Sequence, residues 1–220
     1  MIEKIYNKML KDNEIKDIYN KIEEYEINTG GWCYHNYDHV MNVTEMVIYI
    51  LKELNFNEED VAKGKIACLL HDTGAILGKD NHAYRSYTYA KEYFKKNNIN
   101  FKDIDLVLEA IKDHSNNFDT DNIYTLALIL SDKLDTKSNR VTEVGKTILG
   151  NRQYTHIKDI KISIKNNLLS INYITDKNID IKELNEFYFT KKVFNAIKSF
   201  SNKMNLNYKV YIDNNEWSLQ

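Results

Sequence analysis

The sequence contains no proline and only seven glycines in 220 residues. Helices therefore meet no built-in breaks, and the chain must turn on Asn, Asp and its few Gly. Two cysteines, Cys33 and Cys68, are too few for a disulfide-dense scaffold. Cys68 lies in the apolar stretch Ile66-Ala67-Cys68-Leu69-Leu70 and reads as a small core hydrophobe. The chain has no run of about 18 apolar residues, which a membrane-spanning helix would need. Its start, Met1-Ile2-Glu3-Lys4-Ile5-Tyr6, mixes both charges and lacks the apolar centre of a secretory signal, so a cytoplasmic protein with free thiols is expected. A net charge of -2 leaves no concentrated basic surface for a nucleic-acid polymer. A small substrate fits better.

What is present is ordinary for a folded protein: 43% hydrophobic and 28% charged residues. The length suits one core plus a small appendix. Up to about Glu26, Ile2, Ile5, Met9, Ile15, Ile18 and Ile22 recur at helical spacing. Further helices are predicted from Tyr37 to about Leu54, from a cap at Asn57 to Asp72-Thr73, from near Asn81, from about Phe101 to His114, and from about Asp121. The last is apolar nearly all round, as in a buried bundle helix. After Asn151 the period changes. Ile160, Ile162 and Ile164 alternate with polar residues, Asn166-Asn167 can turn, and Leu169, Ile171 and Tyr173 alternate again, which predicts a hairpin. A helix over Glu183 to Met204 and a strand at Leu206 to Ile212 follow. The expected fold class is mainly α: a helical domain over 1–150 and a small β-β-α-β extension over 151–220.

Four of the six histidines fall where helical periodicity calls for an apolar side chain. His39 shares a stripe with Val43, Met46 and Ile50. His71 and Asp72 end an apolar helix, His82 leads one, and His114 continues the stripe of Ile104, Val107 and Ile111. Asp132 follows Leu128 by four residues in the most apolar helix. One inward histidine is more often a hydrogen-bonded core residue than a ligand. Four, joined by two aspartates that are costly to bury alone, point to a shared cation. Imidazole with carboxylate suits iron, manganese, nickel or zinc.

His39, then His71-Asp72, then Asp132 resembles the H…HD…D signature of the HD superfamily, over roughly Tyr34 to Arg140. Leu69-Leu70-His71-Asp72-Thr73-Gly74 looks like the family's characteristic helix end, and Ser131-Asp132-Lys133-Leu134-Asp135 like its closing motif. His82 and the element Ala110-Ile111-Lys112-Asp113-His114 resemble those of dinuclear bacterial HD hydrolases that split diadenosine tetraphosphate symmetrically. The resemblance implies an HD-type helical bundle and two divalent ions. His39, His71, Asp72 and Asp132 would hold one, and a bridging Asp72, His82 and His114 the other. It also implies hydrolysis of a nucleotide phosphate ester or phosphoanhydride by metal-activated hydroxide.

Asp72 and His35, four residues before the first ligand, are the expected catalytic residues. Arg85, Lys133 and Arg140 are the expected contacts to substrate phosphate, with a solvated side chain the competing reading for Arg85. Residues after His71-Asp72 lack the Glu-Asp pair of the alarmone-hydrolysing branch, and the Gly-Tyr-Pro motif of the cyclic-dinucleotide branch is absent. Two other readings stay open: a di-iron HD-type oxygenase, and a non-catalytic sensor with a structural metal. The expected partner is a small nucleotide. A homodimer is compatible with this reading, and a membrane is not expected.

Overall fold

Caps and apolar stripes set the helices where the sequence places them. The computed structural model describes residues 1–115 and 117–219. Helix α1 spans Ile2–Met9, α2 Asn13–Thr29, α3 Tyr37–Glu53, α4 Glu58–Leu70, α5 His82–Lys96, α6 Ile104–Asp113 and α7 Ile123–Leu134. Side chains of Asp12, Asn36, Asn57 and Asn122 accept backbone N–H groups at the starts of α2, α3, α4 and α7, satisfying donors that a helix start leaves unpaired. With glycine scarce, non-glycine residues at positive φ carry many turns, and all but Lys177 are Asn or Asp, the side chains that best tolerate that conformation.

Val40, Val43, Val47 and Ile50 of α3, Ile66, Leu69 and Leu70 of α4, and Leu126 to Leu130 of α7 are buried together. No described helix is long and apolar enough to cross a membrane.

The extension opens with the 3-10 turn Asn151–His156, then β1 (Ile157–Lys165) and β2 (Leu168–Thr175). These pair as the predicted hairpin, with Ile162 opposite Ile171 and Ile164 opposite Leu169. Asn166 and Asn167 both take positive φ at its turn, the conformation a two-residue hairpin loop requires. The single helix expected from Glu183 is instead two: α8 (Ile181–Glu186) and α9 (Tyr188–Lys203). Phe187 between them is extended. Strand β3 (Asn207–Ile212) runs parallel to β2, and a short β4 (Asn215–Glu216), which the sequence reading did not contain, closes the order β1-β2-β3-β4. The buried apolar residues form one cluster that crosses residue 150.

Candidate metal centre

Each residue of the cluster sits at a helix end or in a terminal turn, where side chains converge without breaking the bundle. His39 is in the first turn of α3, and its backbone N–H is received by the cap residue Asn36. His71 caps the C-terminus of α4 and Asp72 follows it; His82 opens α5, His114 caps α6, and Asp132 is in the last turn of α7. The short turn Thr73–Leu77 carries the chain from Asp72 to α5, and Gly74 lets it approach closely. A Cβ there would run into the backbone of His82 and Ser86, and the Gly74 N–H donates to Ser86 Oγ at 2.8 Å.

The two carboxylate oxygens of Asp72 face different groups. Oδ2 lies 3.2 Å from His71 Nε2 and 3.6 Å from His39 Nε2. Oδ1 lies 3.3 Å from His82 Nε2 and 3.6 Å from His114 Nε2. Asp132 Oδ1 joins the first group at 3.2 Å from His39 Nε2. Ligand atoms about 2.0–2.2 Å from one ion stand roughly 3 Å apart, and these spacings match. His39, His71, Asp72 and Asp132 form one cluster able to hold an ion, and Asp72, His82 and His114 another.

The far nitrogen of every ring is occupied. Nδ1 of His71, His82 and His114 contacts the backbone oxygens of Cys68, Lys79 and Ile111 at 2.7, 2.7 and 2.8 Å. Nδ1 of His39 faces Asp135 Oδ2 at 2.8 Å. An oxygen acceptor at Nδ1 puts the ring proton there and leaves Nε2 as a lone pair aimed at the centre. The buried His39 Nε2, His71 Nε2 and Asp72 Oδ2 have no hydrogen-bond partner. A cation satisfies all three, and the donor set therefore fits divalent ions.

Electrostatics agree. Burial lowers the pKa of His82 to about 4 and lowers that of His114, so both are neutral and ligand-competent near pH 7. Burial opposes ionisation of Asp72 and Asp132, but Lys79 and His71 around the first and Lys133 and His39 around the second outweigh it and hold both carboxyls well below the usual range. At His39, burial and Arg140 oppose a proton. Contacts with Asp132, Asp135 and Asp72 outweigh them and raise its pKa to about 9, so near pH 7 a proton on Nε2 competes with a cation for that lone pair. Several carboxylates in one interior demand positive charge.

Beside the centre lies a cavity of about 430 Å³ whose lining includes Asp72, His82 and Asp132. Lys133, Arg140 and His35, named from the sequence as substrate contacts and catalytic residue, all line it. Lys133 Nζ donates to Asp132 Oδ2 at 2.5 Å, and Arg140 donates to Asp135 Oδ2 at 3.1 Å while contacting His39 Nδ1. Arg85 is a correction. Its guanidinium donates to the backbone oxygens of Gly74, Gly78 and Asp80 and is absent from the cavity lining. Arg85 braces the loop between Asp72 and His82.

The sequence reading missed Glu26 and Asp135. Glu26 is buried, accepts the His35 backbone N–H at 2.7 Å and contacts His35 Nδ1. The signal was a carboxylate at the end of the stripe Ile15, Tyr19, Ile22, Glu26. Asp135 follows Asp132 by three residues, and it holds His39.

Residues 36–137 match the HD domain family. The matched segment holds α3 to α7 and all six clustered residues. Curated proteins gave no significant match. His35, Glu26 and Arg140 lie outside the matched HD segment, as does the whole extension.

Proposed function

We propose that this HD-domain protein is a metal-dependent phosphohydrolase that cleaves a nucleotide phosphate ester or phosphoanhydride, with two divalent transition-metal ions bridged by Asp72. The observation that carries the reading is the split of Asp72, Oδ2 towards His39 and His71 and Oδ1 towards His82 and His114. When bound, paired ions supply an activated water and withdraw charge from phosphoryl oxygens.

The chain's own residues position and balance that chemistry. Lys79 donates to Asp72 Oδ1 and Lys133 to Asp132 Oδ2, which places two ammonium groups at the cavity, where a phosphoryl group would meet them. Arg140 fixes Asp135, which keeps the His39 proton on Nδ1. His35 is held at Nδ1 by Glu26, so a proton passed from the Glu26 carboxyl to Nδ1 lets Nε2 give its own to the leaving oxygen. The cavity beside His82 and Asp132 favours catalysis over a sensor with a closed structural site, because a substrate has room to reach the ligands.

The test is a nucleotide panel incubated with iron-, manganese-, nickel- or zinc-loaded protein under air and under strict anaerobiosis. Release of phosphate or of a nucleoside mono- or diphosphate product in both atmospheres supports the reading. Release of neither with every metal overturns it, and turnover only under air turns it into the oxygenase.

A further inference from the structure

The HD match ends at residue 137, yet a good part of the cavity wall comes from elsewhere. Tyr154, Phe187, Tyr188, Phe189 and Lys192 of the extension line it, with Trp32 from the approach to α3. Two of these aromatics are seated. Phe187 packs edge-on against Tyr154 with ring centroids 5.8 Å apart, and Phe189 against the same ring at 6.4 Å. Gly150 makes the seat possible: it takes φ +80°, and a Cβ there would collide with the Phe187 side chain. The break between α8 and α9 thus presents three consecutive aromatics to the cavity.

Tyr188 is the exception among them. Its side chain is held by an edge contact with Phe187 at 4.9 Å and by the Lys192 ammonium 5.6 Å from its ring centroid, yet it is 54% exposed. Trp32 is 40% exposed. A fixed aromatic that keeps open surface in a cavity also lined by charged side chains is a preorganised stacking platform. Both linings share one cavity of about 430 Å³, within the usual size of a small-molecule site. One occupant can therefore meet both charged groups and open aromatic surface.

We propose that the C-terminal extension supplies a ring-binding subsite, in which Tyr188 and Trp32 stack a planar aromatic ring carried by the phosphate compound that reaches the metal centre. The placement of the phosphate rests on the phosphohydrolase reading; the ring subsite rests on the aromatic wall. A nucleobase and a simple aryl group share this chemistry.

Calorimetric titration of the full chain separates the possibilities. Adenosine, uridine, phenyl phosphate and ribose 5-phosphate, which has no aromatic ring, are titrated into wild type, Tyr188→Ala, Tyr188→Phe and Trp32→Ala, with far-UV circular dichroism and metal content confirming the fold of each. Nucleosides should bind the wild type, about tenfold more weakly to Tyr188→Ala, the loss expected from removing one base-stacking ring, and near normally to Tyr188→Phe. Trp32→Ala should weaken the same ligands. Binding of phenyl phosphate without nucleosides, with the same dependence on Tyr188, keeps the subsite and makes its ring an aryl group. If no ring compound binds the wild type, or Tyr188→Ala and Trp32→Ala both bind as well as wild type, the subsite is overturned even if nucleotides are hydrolysed. Nucleoside binding with no hydrolysis of any nucleotide would sink the hydrolase reading and leave the subsite standing.

Discussion

His82 and His114 bring their Nε2 atoms to 3.0 Å of each other while both Nδ1 atoms rest on backbone oxygens. Two neutral rings arranged this way offer lone pair to lone pair, which is repulsive unless something positive lies between or beside them. Asp72 Oδ1, 3.3 Å from one and 3.6 Å from the other, completes a three-point site for a cation and makes no sense as a hydrogen-bond partner for two deprotonated nitrogens.

Elemental analysis of protein purified without chelator should find near two metal equivalents per chain, falling towards one in His82→Ala and in His114→Ala. Asp72→Ala should lower both sites. One equivalent unmoved by either histidine change would return His82 and His114 to substrate or structural roles.

Asp135 acts on the centre through His39. Replacing it by Asn removes the charge that receives the His39 Nδ1 proton at 2.8 Å and that Asn42 and Arg140 also hold. Metal affinity, read by chelator competition, should fall by about 10- to 100-fold with little change in helix content. Unaltered affinity would show that His39 needs no such support.

Gly74→Ala should damage the fold and the second site together. The added methyl meets backbone of His82 and Ser86, and overpacking of this kind costs about 1–3 kcal/mol. Chemical denaturation reads the stability and metal content reads the displacement of His82. A variant as stable as wild type with both metals would mean that the 73–77 turn and α5 separate easily.

Burial raises the Glu26 carboxyl to about 7 from an ordinary 4.5, against the pull of Lys79 and the His35 N–H. Between those two values the folded chain keeps a proton that the unfolded chain releases, so this group's contribution to stability declines as pH rises through the window and is level above about 7. His35, lowered by burial, slopes the other way below 6.5, so the two partly cancel in wild type. Comparison with Glu26→Gln isolates the carboxyl: the stability difference should shift in favour of the variant by on the order of 2 kcal/mol from pH 4.5 to pH 8. Parallel pH profiles for the two proteins would refute the raised pKa.

The helices and the ligand types were legible because both leave local signals. Inward stripes such as Val40, Val43, Val47 and Ile50 name a helix face from spacing alone, and polar residues that interrupt such stripes, His39, His114 and Asp132, stand out against it. Even Glu26 and Asp135 were available to that logic, one on the stripe of α2 and the other one turn past Asp132. The hairpin at Asn166-Asn167 was legible for the same reason, since alternation and turn chemistry are properties of adjacent residues.

Other features depended on contacts between distant segments. Whether Arg85 faces a phosphate or its own loop is decided by where the oxygens of Gly74, Gly78 and Asp80 fall, which no helical spacing encodes. The break at Phe187 follows from its packing on Gly150 and Tyr154, more than thirty residues earlier, overriding a pattern that locally favours one continuous helix. Sequence by itself determined the helical class and the residues able to bind metal, because periodicity and side-chain chemistry are local. Only the tertiary structure decided which oxygen of Asp72 faces which histidines and that the extension walls the cavity, because those depend on how segments far apart in the chain pack against one another.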